Sequence, residues 1–152
     1  METAIREAVP DDAEAVAGLL GELGYPKTAD FARAKLATLA ASDLDWVLVA
    51  ERGGRVVGVG HLHVSELFHQ PGRVGRIMAI VVDTGSRRLG AGRELMDRLE
   101  AIAQEAGCIK LELTSAAHRE AAHAFYCSLG YGEGLKHFVK YLDAPEDTHQ
   151  SR

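Results

Sequence analysis

No stretch of this chain stays apolar for the ~20 residues that a membrane span needs. The opening residues, Met1-Glu2-Thr3-Ala4-Ile5-Arg6-Glu7, lack the basic start and apolar core of a secretory signal, so a cytoplasmic location and no membrane partner are expected. Basic residues are the minority, 17 Lys and Arg against 22 Asp and Glu, for a formal charge of −5. A general nucleic-acid binder presents a basic face, so that class is set aside. The acidic balance fits a cationic amine substrate loosely and solubility alone better. Cysteine is scarce: Cys108 and Cys127 have no metal-like spacing and read as a reduced thiol pair. Internal repeats, low-complexity tracts and linkers are also missing. With 152 residues, 47% of them hydrophobic, one domain over 1–142 and a polar tail over 143–152 are expected.

What is present alternates between strand and helix patterns. Thr3 to Ala8 reads as a strand, and Pro10-Asp11-Asp12 as a helix start with acids at its positive end. Ala13, Val16, Leu19, Leu20 and Leu23 form the apolar face of that helix, which Gly24-Tyr25-Pro26 stops. Thr28 caps a second helix to Ala41. Asp45–Arg52 and Arg55–Val64 read as strands around a Gly53-Gly54 hairpin turn. Gly58 and Gly60 in the second of these mark a close backbone approach or a bulge. A loop from Ser65 to Arg73, a strand from Val74 to Val82 and a helix from Arg87 to Ala106 follow. Ile109–Thr114 alternates as a strand, and so long a helix between two strands makes them parallel neighbours. A polar turn (115–119), a short helix (120–129) and a last strand, Leu135–Leu142, complete the reading. The fold class is α/β (α+β), with a mixed sheet flanked by about four helices.

The densest signal lies between Ile77 and Met96. Ile77 to Val82 has no polar side chain and suits a strand covered on both faces. Asp83 to Ser86 is turn chemistry. From Arg93, the residues Leu95, Met96, Leu99, Ile102 and Ala103 recur at helical spacing. The first N–H groups of a helix have no partner within it, and the peptide dipoles leave that end positive. Gly90, Ala91 and Gly92 clear side chains from those donors, while Arg87, Arg88 and Arg93 add formal charge. Such a cradle suits a phosphate-bearing ligand. The alternative is that the glycines only let the helix pack closely. The stretch has no Gly-Lys-Ser/Thr ending, so it is not the loop of nucleotide hydrolases, and it lacks the three spaced glycines of dinucleotide folds.

His61 and His63 alternate on one strand and so share a face. Such a pair can ligate a metal, but no further Cys or His at useful spacing supports that, and no metal is expected. A proton acceptor in a pocket and a polar, half-solvated strand face remain the two readings.

The pattern Arg87-x-x-Gly90-x-Gly92 resembles the acyl-CoA pyrophosphate loop of the GCN5-related N-acetyltransferase (GNAT) family. Ala121-Ala122-His123-Ala124-Phe125-Tyr126-Cys127-Ser128-Leu129-Gly130-Tyr131 is similar to that family's late A-x-x-F-Y-x-x-L-G-F/Y signature. The resemblance covers about Thr3 to Leu142 and is strongest from Ile77 to Tyr131. It implies a mostly antiparallel sheet in which two parallel strands, here 77–82 and 109–114, splay apart so that the pantetheine arm of acetyl-CoA lies between them. Backbone groups of Ile80 and Val82 would pair with that arm, with Val81 or Ile80 supplying an amide to the carbonyl oxygen. Arg87, Arg88, Leu89, Gly90, Ala91, Gly92 and Arg93 would hold the pyrophosphate; Arg119 stands where many members carry an asparagine that contacts the arm, with Ser115 as the substitute for that contact.

The implied reaction is direct attack of a small-molecule primary amine on the thioester, with aminoalkylphosphonate- and aminoglycoside-type enzymes as the likeness. Tyr126 is the implied proton donor to the leaving thiolate, because a phenol near ~10 and a thiol near ~8.5 can share that proton. Tyr25 and Phe31 belong to the region implied as the acceptor wall, with core aromatics as the plain alternative. Met78, and nearby Arg76, stand where many members carry the base, so His61, His63, Glu66 or His118 are the remaining candidates. A non-catalytic acyl-CoA-binding module is the rival reading, and an unrelated α/β nucleotide-binding protein a third. A homodimer is a family expectation.

Overall fold

The computed structural model describes residues 2–114, 120–134 and 137–143. In the first unit, Met1–Thr114, five strands form one sheet in the order β1-β2-β3-β4-β5: Thr3–Glu7, Asp45–Arg52, Arg55–Glu66, Arg73–Val82 and Cys108–Leu113. The first four pair antiparallel in sequence, and β5 joins β4 in parallel. The β2–β3 hairpin turns at Gly53 (φ 57°) and Gly54 (φ 77°), both left-handed as its two-residue turn demands.

Period-two alternation gives the sheet two different faces. On one face Val49, Val59 and Val81 meet Ala13, Val16, Leu19, Ala32 and Leu36 of α1 (Ala13–Leu23) and α2 (Ala29–Ala40). A 3-10 turn, Pro10–Asp12, leads into α1, and Gly24 (φ 112°) closes it. Thr28 caps α2, its hydroxyl accepting from Phe31 N–H at 3.1 Å. At the start of α1, Asp12 is buried and accepts two 2.9 Å bonds from the Arg6 guanidinium and one from Val9 N–H at 2.8 Å.

The other face packs on α3 (Ala91–Glu105), whose Leu95, Met96 and Leu99 are fully buried. Each such side chain contributes roughly 1.5–3 kcal/mol. Here Gly58 and Gly60 are explained: a β-carbon on them would stand 3.1 Å from Leu95 Cδ1 and 3.0 Å from Leu99 Cδ1. The bare backbone of β3 is what lets α3 come this close.

Two expectations are corrected. Helix α3 starts at Ala91, not Arg87. Thr84–Ser86 forms a 3-10 turn, Arg87 is extended, and Arg88 (φ 70°) and Gly90 (φ 90°) are left-handed, a conformation no right-handed helix contains. The last strand expected at Leu135–Leu142 is not formed over its described part, 137–142. Those residues alternate suitably, but the sheet of the described residues has five strands and does not include them. In the second unit, Ser115–Arg152, the helix α4 spans Glu120–Ser128 and ends before Gly130 (φ 95°).

Candidate active site

The region centres on β4. Its pairing with β5 runs from Arg73↔Cys108 to Ile77↔Leu113, and among the described residues no β5 partner faces Met78–Val82. The β3 register explains where the contact ends. His61 lies opposite Ala79 but Leu62 opposite Ile77, so Met78 is an extra residue, a β-bulge. A bulge bends its strand and increases its twist. The bend falls at the first residue beyond the β4–β5 contact, and the Met78 side chain is exposed.

Backbone orientation beyond the bulge follows from one bond, Asp83 N–H to Val57 C=O at 2.8 Å. Antiparallel residues alternate between bonding across the ladder and facing away from it. Val81 and Ala79 therefore bond to β3, while the amides of Ile80 and Val82 face the open side. On that side the Val82 carbonyl accepts from Arg87 Nε at 3.1 Å.

The open edge leads into the turn before α3. Asp83 organises this turn: one carboxylate oxygen accepts from Gly85 N–H at 2.9 Å and the other from Arg55 at 2.9 Å. The Gly85 amide, and after it the Arg55 guanidinium, hold this carboxyl below the ordinary range. Glu22 of α1 clamps Thr84 through its N–H (2.9 Å) and hydroxyl (2.7 Å). The strained Arg88 follows, then Leu89, half exposed, and Gly90, whose carbonyl receives Glu94 N–H at 3.0 Å. Arg88 and Arg93 are exposed and have no hydrogen-bond or ion-pair partner among the described residues. Helix-start donors beside guanidinium groups that have no partner among the described residues make this turn suited to an anion.

On the α1–α2 face, near the bulge, lies a polar cluster. Asp45 Oδ1 is 2.7 Å from His61 Nε2 and 3.0 Å from His63 Nδ1, while Oδ2 accepts from Ser42 Oγ at 2.7 Å. Burial works against the Asp45 carboxylate, but the bonds from Ser42 and the two imidazoles outweigh it and hold the carboxyl below its ordinary range. An ionised carboxylate only accepts, so both imidazoles must carry their proton on the nitrogen that faces it. In the neutral form of each ring that leaves His61 Nδ1 and His63 Nε2 as acceptors. Arg76, opposite His63, reaches Thr114 Oγ1 at 2.6 Å and Glu112 at 3.5 Å. A cavity of about 250 Å³ between α2 and the β1–β2 edge touches the cluster only at Ser42 and Asp45. Among the described residues no group of three or more His, Cys, Asp or Glu is arranged to hold a metal.

The remaining sequence candidates lie elsewhere. Tyr25 and Phe31 are partly exposed around the α1–α2 connection, with the ammonium groups of Lys27 and Lys35 at 5.2 and 5.8 Å from the Phe31 ring. Tyr126, half buried in α4, has its ring edge-on to Phe125 (5.3 Å) and Tyr131 (6.2 Å). Glu66 pairs with Arg73 at 2.8 Å at the far end of β3. Ser115, His118 and Arg119 lie outside the described residues. Asp45 was missed because it reads simply as the start of a strand.

An open strand edge that runs into a helix start suits a ligand that carries phosphate, and comparison with known proteins gives the family. The model of the acetyltransferase (GNAT) family matches residues 14–131, and the chain belongs to that family. It is 32% identical over 141 residues to an aminoalkylphosphonate N-acetyltransferase of Salmonella typhimurium, covering 91% of this chain and 90% of the relative. To a probable glucosamine 6-phosphate N-acetyltransferase of Oryza sativa it is 37% identical over 112 residues, 70% of this chain and 66% of that one. An aminoglycoside N-acetyltransferase solved with CoA superposes with a TM-score of 0.83, covering 94% and 96% of the two chains at 16% identity, which speaks for the fold alone. The chain is an N-acetyltransferase, and its family uses acetyl-CoA.

Proposed function

We propose that acetyl-CoA binds along the open side of β4, with its diphosphate at Arg87–Gly92, and that the acceptor is a small primary amine carrying a phosphoryl or phosphonyl group. The observation that carries the donor half is the continuity of the Ile80 and Val82 amides with the start of α3, where Arg88 and Arg93 have no partner among the described residues. The cradle suits a diphosphate in charge and in room: a β-carbon at Gly90 would find its nearest neighbour, Glu94 Oε2, only at 3.9 Å. Bound there, acetyl-CoA supplies the electrophilic thioester carbonyl. The Ile80 N–H is the donor we assign to the carbonyl oxygen, since that of Val81 is engaged with β3. Tyr126 is proposed to return a proton to the sulfur, on the strength of its place in the Phe125-Tyr126-x-x-Leu129-Gly130 pattern.

Two relatives whose names join an amine to a phosphonate or a phosphate support the acceptor class. So do the cations Arg76, Lys27 and Lys35 on or beside the α1–α2 face. A cytoplasmic enzyme acting as a homodimer is the accompanying expectation, read by sedimentation. The direct test is thiol release from acetyl-CoA with an amine panel. Turnover should be highest with aminoalkylphosphonates and amino-sugar phosphates. Equal or better turnover of their uncharged analogues would overturn the acceptor class, and no CoA binding by calorimetry would overturn the donor site.

A further inference from the structure

Resting on the acyl-transfer reading above, we propose that Asp45 is a positioning residue for the reaction: it fixes the His61 proton on Nε2, so that the Nδ1 lone pair can take a proton from the acceptor ammonium.

An alkylammonium with pKa near ~10.4 has no lone pair at neutral pH and must lose a proton before it can attack a carbonyl. Carboxylates on β4 are missing: Met78 occupies the bulge, and Arg76 is itself a cation. His61 stands directly opposite Ala79, one residue from Ile80, whose amide faces the open edge. Ala79 is small, so β4 sets only a methyl group beside the imidazole. The His61 side chain is 20% exposed, and among the described residues its one polar contact is Asp45. Asp45 is itself held by Ser42 and 11% exposed, so the carboxylate is fixed rather than free to swing. His63 shares the same oxygen but sits opposite Arg76 and is twice as exposed, 40%, which makes it the weaker candidate.

In the step itself, the N–H bond of the ammonium breaks and its electron pair stays on the amine nitrogen. A new N–H bond forms at His61 Nδ1, and the positive charge passes to an imidazolium facing Asp45. Among the described residues, the charged groups around the cluster are His63 on β3, Arg76 with Glu112 across β4 and β5, and Glu7 and Asp43, which line the cavity beside Asp45.

The test uses Asp45→Asn, His61→Gln and, as a control for charge alone, Asp43→Asn. On the apo proteins, ¹⁵N chemical shifts of the imidazoles report the tautomer. His61 should be protonated on Nε2 in the parent and lose that bias in Asp45→Asn; protonation on Nδ1 in the parent would overturn the proposal without any turnover measurement. For turnover, an alkylamine is compared with an amine of pKa below the assay pH, which needs no base. General-base losses run about 100- to 10,000-fold. His61→Gln should lose at least about 100-fold in kcat on the alkylamine and little on the weak base. Asp45→Asn should lose about tenfold or more on the alkylamine and much less on the weak base. Asp43→Asn should behave as the parent. Equal losses on both amines, or a His61 tautomer unchanged in Asp45→Asn, would overturn the proposal. CoA affinity should stay at the parental value throughout; loss of it in the parent is instead a failure of the acyl-CoA reading.

Discussion

Replacing Gly90 by alanine separates the backbone's needs from the ligand's. Gly90 sits at φ 90°, and an added β-carbon would have no heavy atom nearer than Glu94 Oε2 at 3.9 Å. The protein's own cost is therefore the left-handed conformation alone, about 1–2 kcal/mol. At this chain length that lowers Tm by roughly 2–8 °C. Against a total stability of about 5–15 kcal/mol the variant stays folded. Gly54 is a matched control: φ is +77°, nothing lies within 4 Å, and it sits in the β2–β3 turn. Gly54→Ala should thus lose a similar amount of Tm. The two should part company in calorimetry with CoA. A methyl group at Gly90 stands beside the first donors of α3, and losing one hydrogen bond to a charged group costs about 1.5–3 kcal/mol. The dissociation constant of Gly90→Ala should rise roughly 10- to 100-fold, and that of Gly54→Ala should not change. Equal Tm losses with equal, unchanged CoA affinities would refute the assignment of the diphosphate to this turn.

Removing either guanidinium, as Arg88→Ala or Arg93→Ala, should weaken CoA binding about tenfold and flatten its dependence on salt, measured by titration at two ionic strengths. Arg88→Gly should bind more weakly yet melt higher, because it relieves a φ of 70°. Leu99→Ala, at a fully buried site against Gly60, should cost about 2–5 kcal/mol in chemical denaturation. Asp12 has a lowered folded-state pKa, chiefly through its bonds from Arg6. Its contribution is present above the unfolded value of about 3.9 and is lost as pH falls through the folded value. Asp12→Asn should therefore be less stable at neutral pH and show a shallower loss of stability between about pH 5 and pH 2.

The hairpin and the α3 stripe were legible because their cues are local. Gly53-Gly54 admits few turns, and Leu95, Met96 and Leu99 recur at helical spacing. Gly58 and Gly60 were legible too, since a strand interior without side chains implies something close by. The bulge at Met78 was not, for it falls inside an apolar run with no glycine to mark it. Asp45 was hidden by the same kind of irregularity. Counting back from the Gly53-Gly54 turn without interruption sets Asp45 opposite Leu62, on the α3 face. A one-residue register shift at Ala50/Glu51 sets it opposite His63, and thus beside both imidazoles. The start of α3 was misjudged because helical periodicity reports the apolar stripe, not the left-handed residues that must precede it.

The most direct measurement is amide hydrogen exchange of β4 with and without CoA. The Ile80 and Val82 amides should exchange quickly in the free protein and slow on adding CoA, while those of Ala79 and Val81, already bonded to β3, should change little. Exchange at Ile80 and Val82 that is indifferent to saturating CoA would contradict the account.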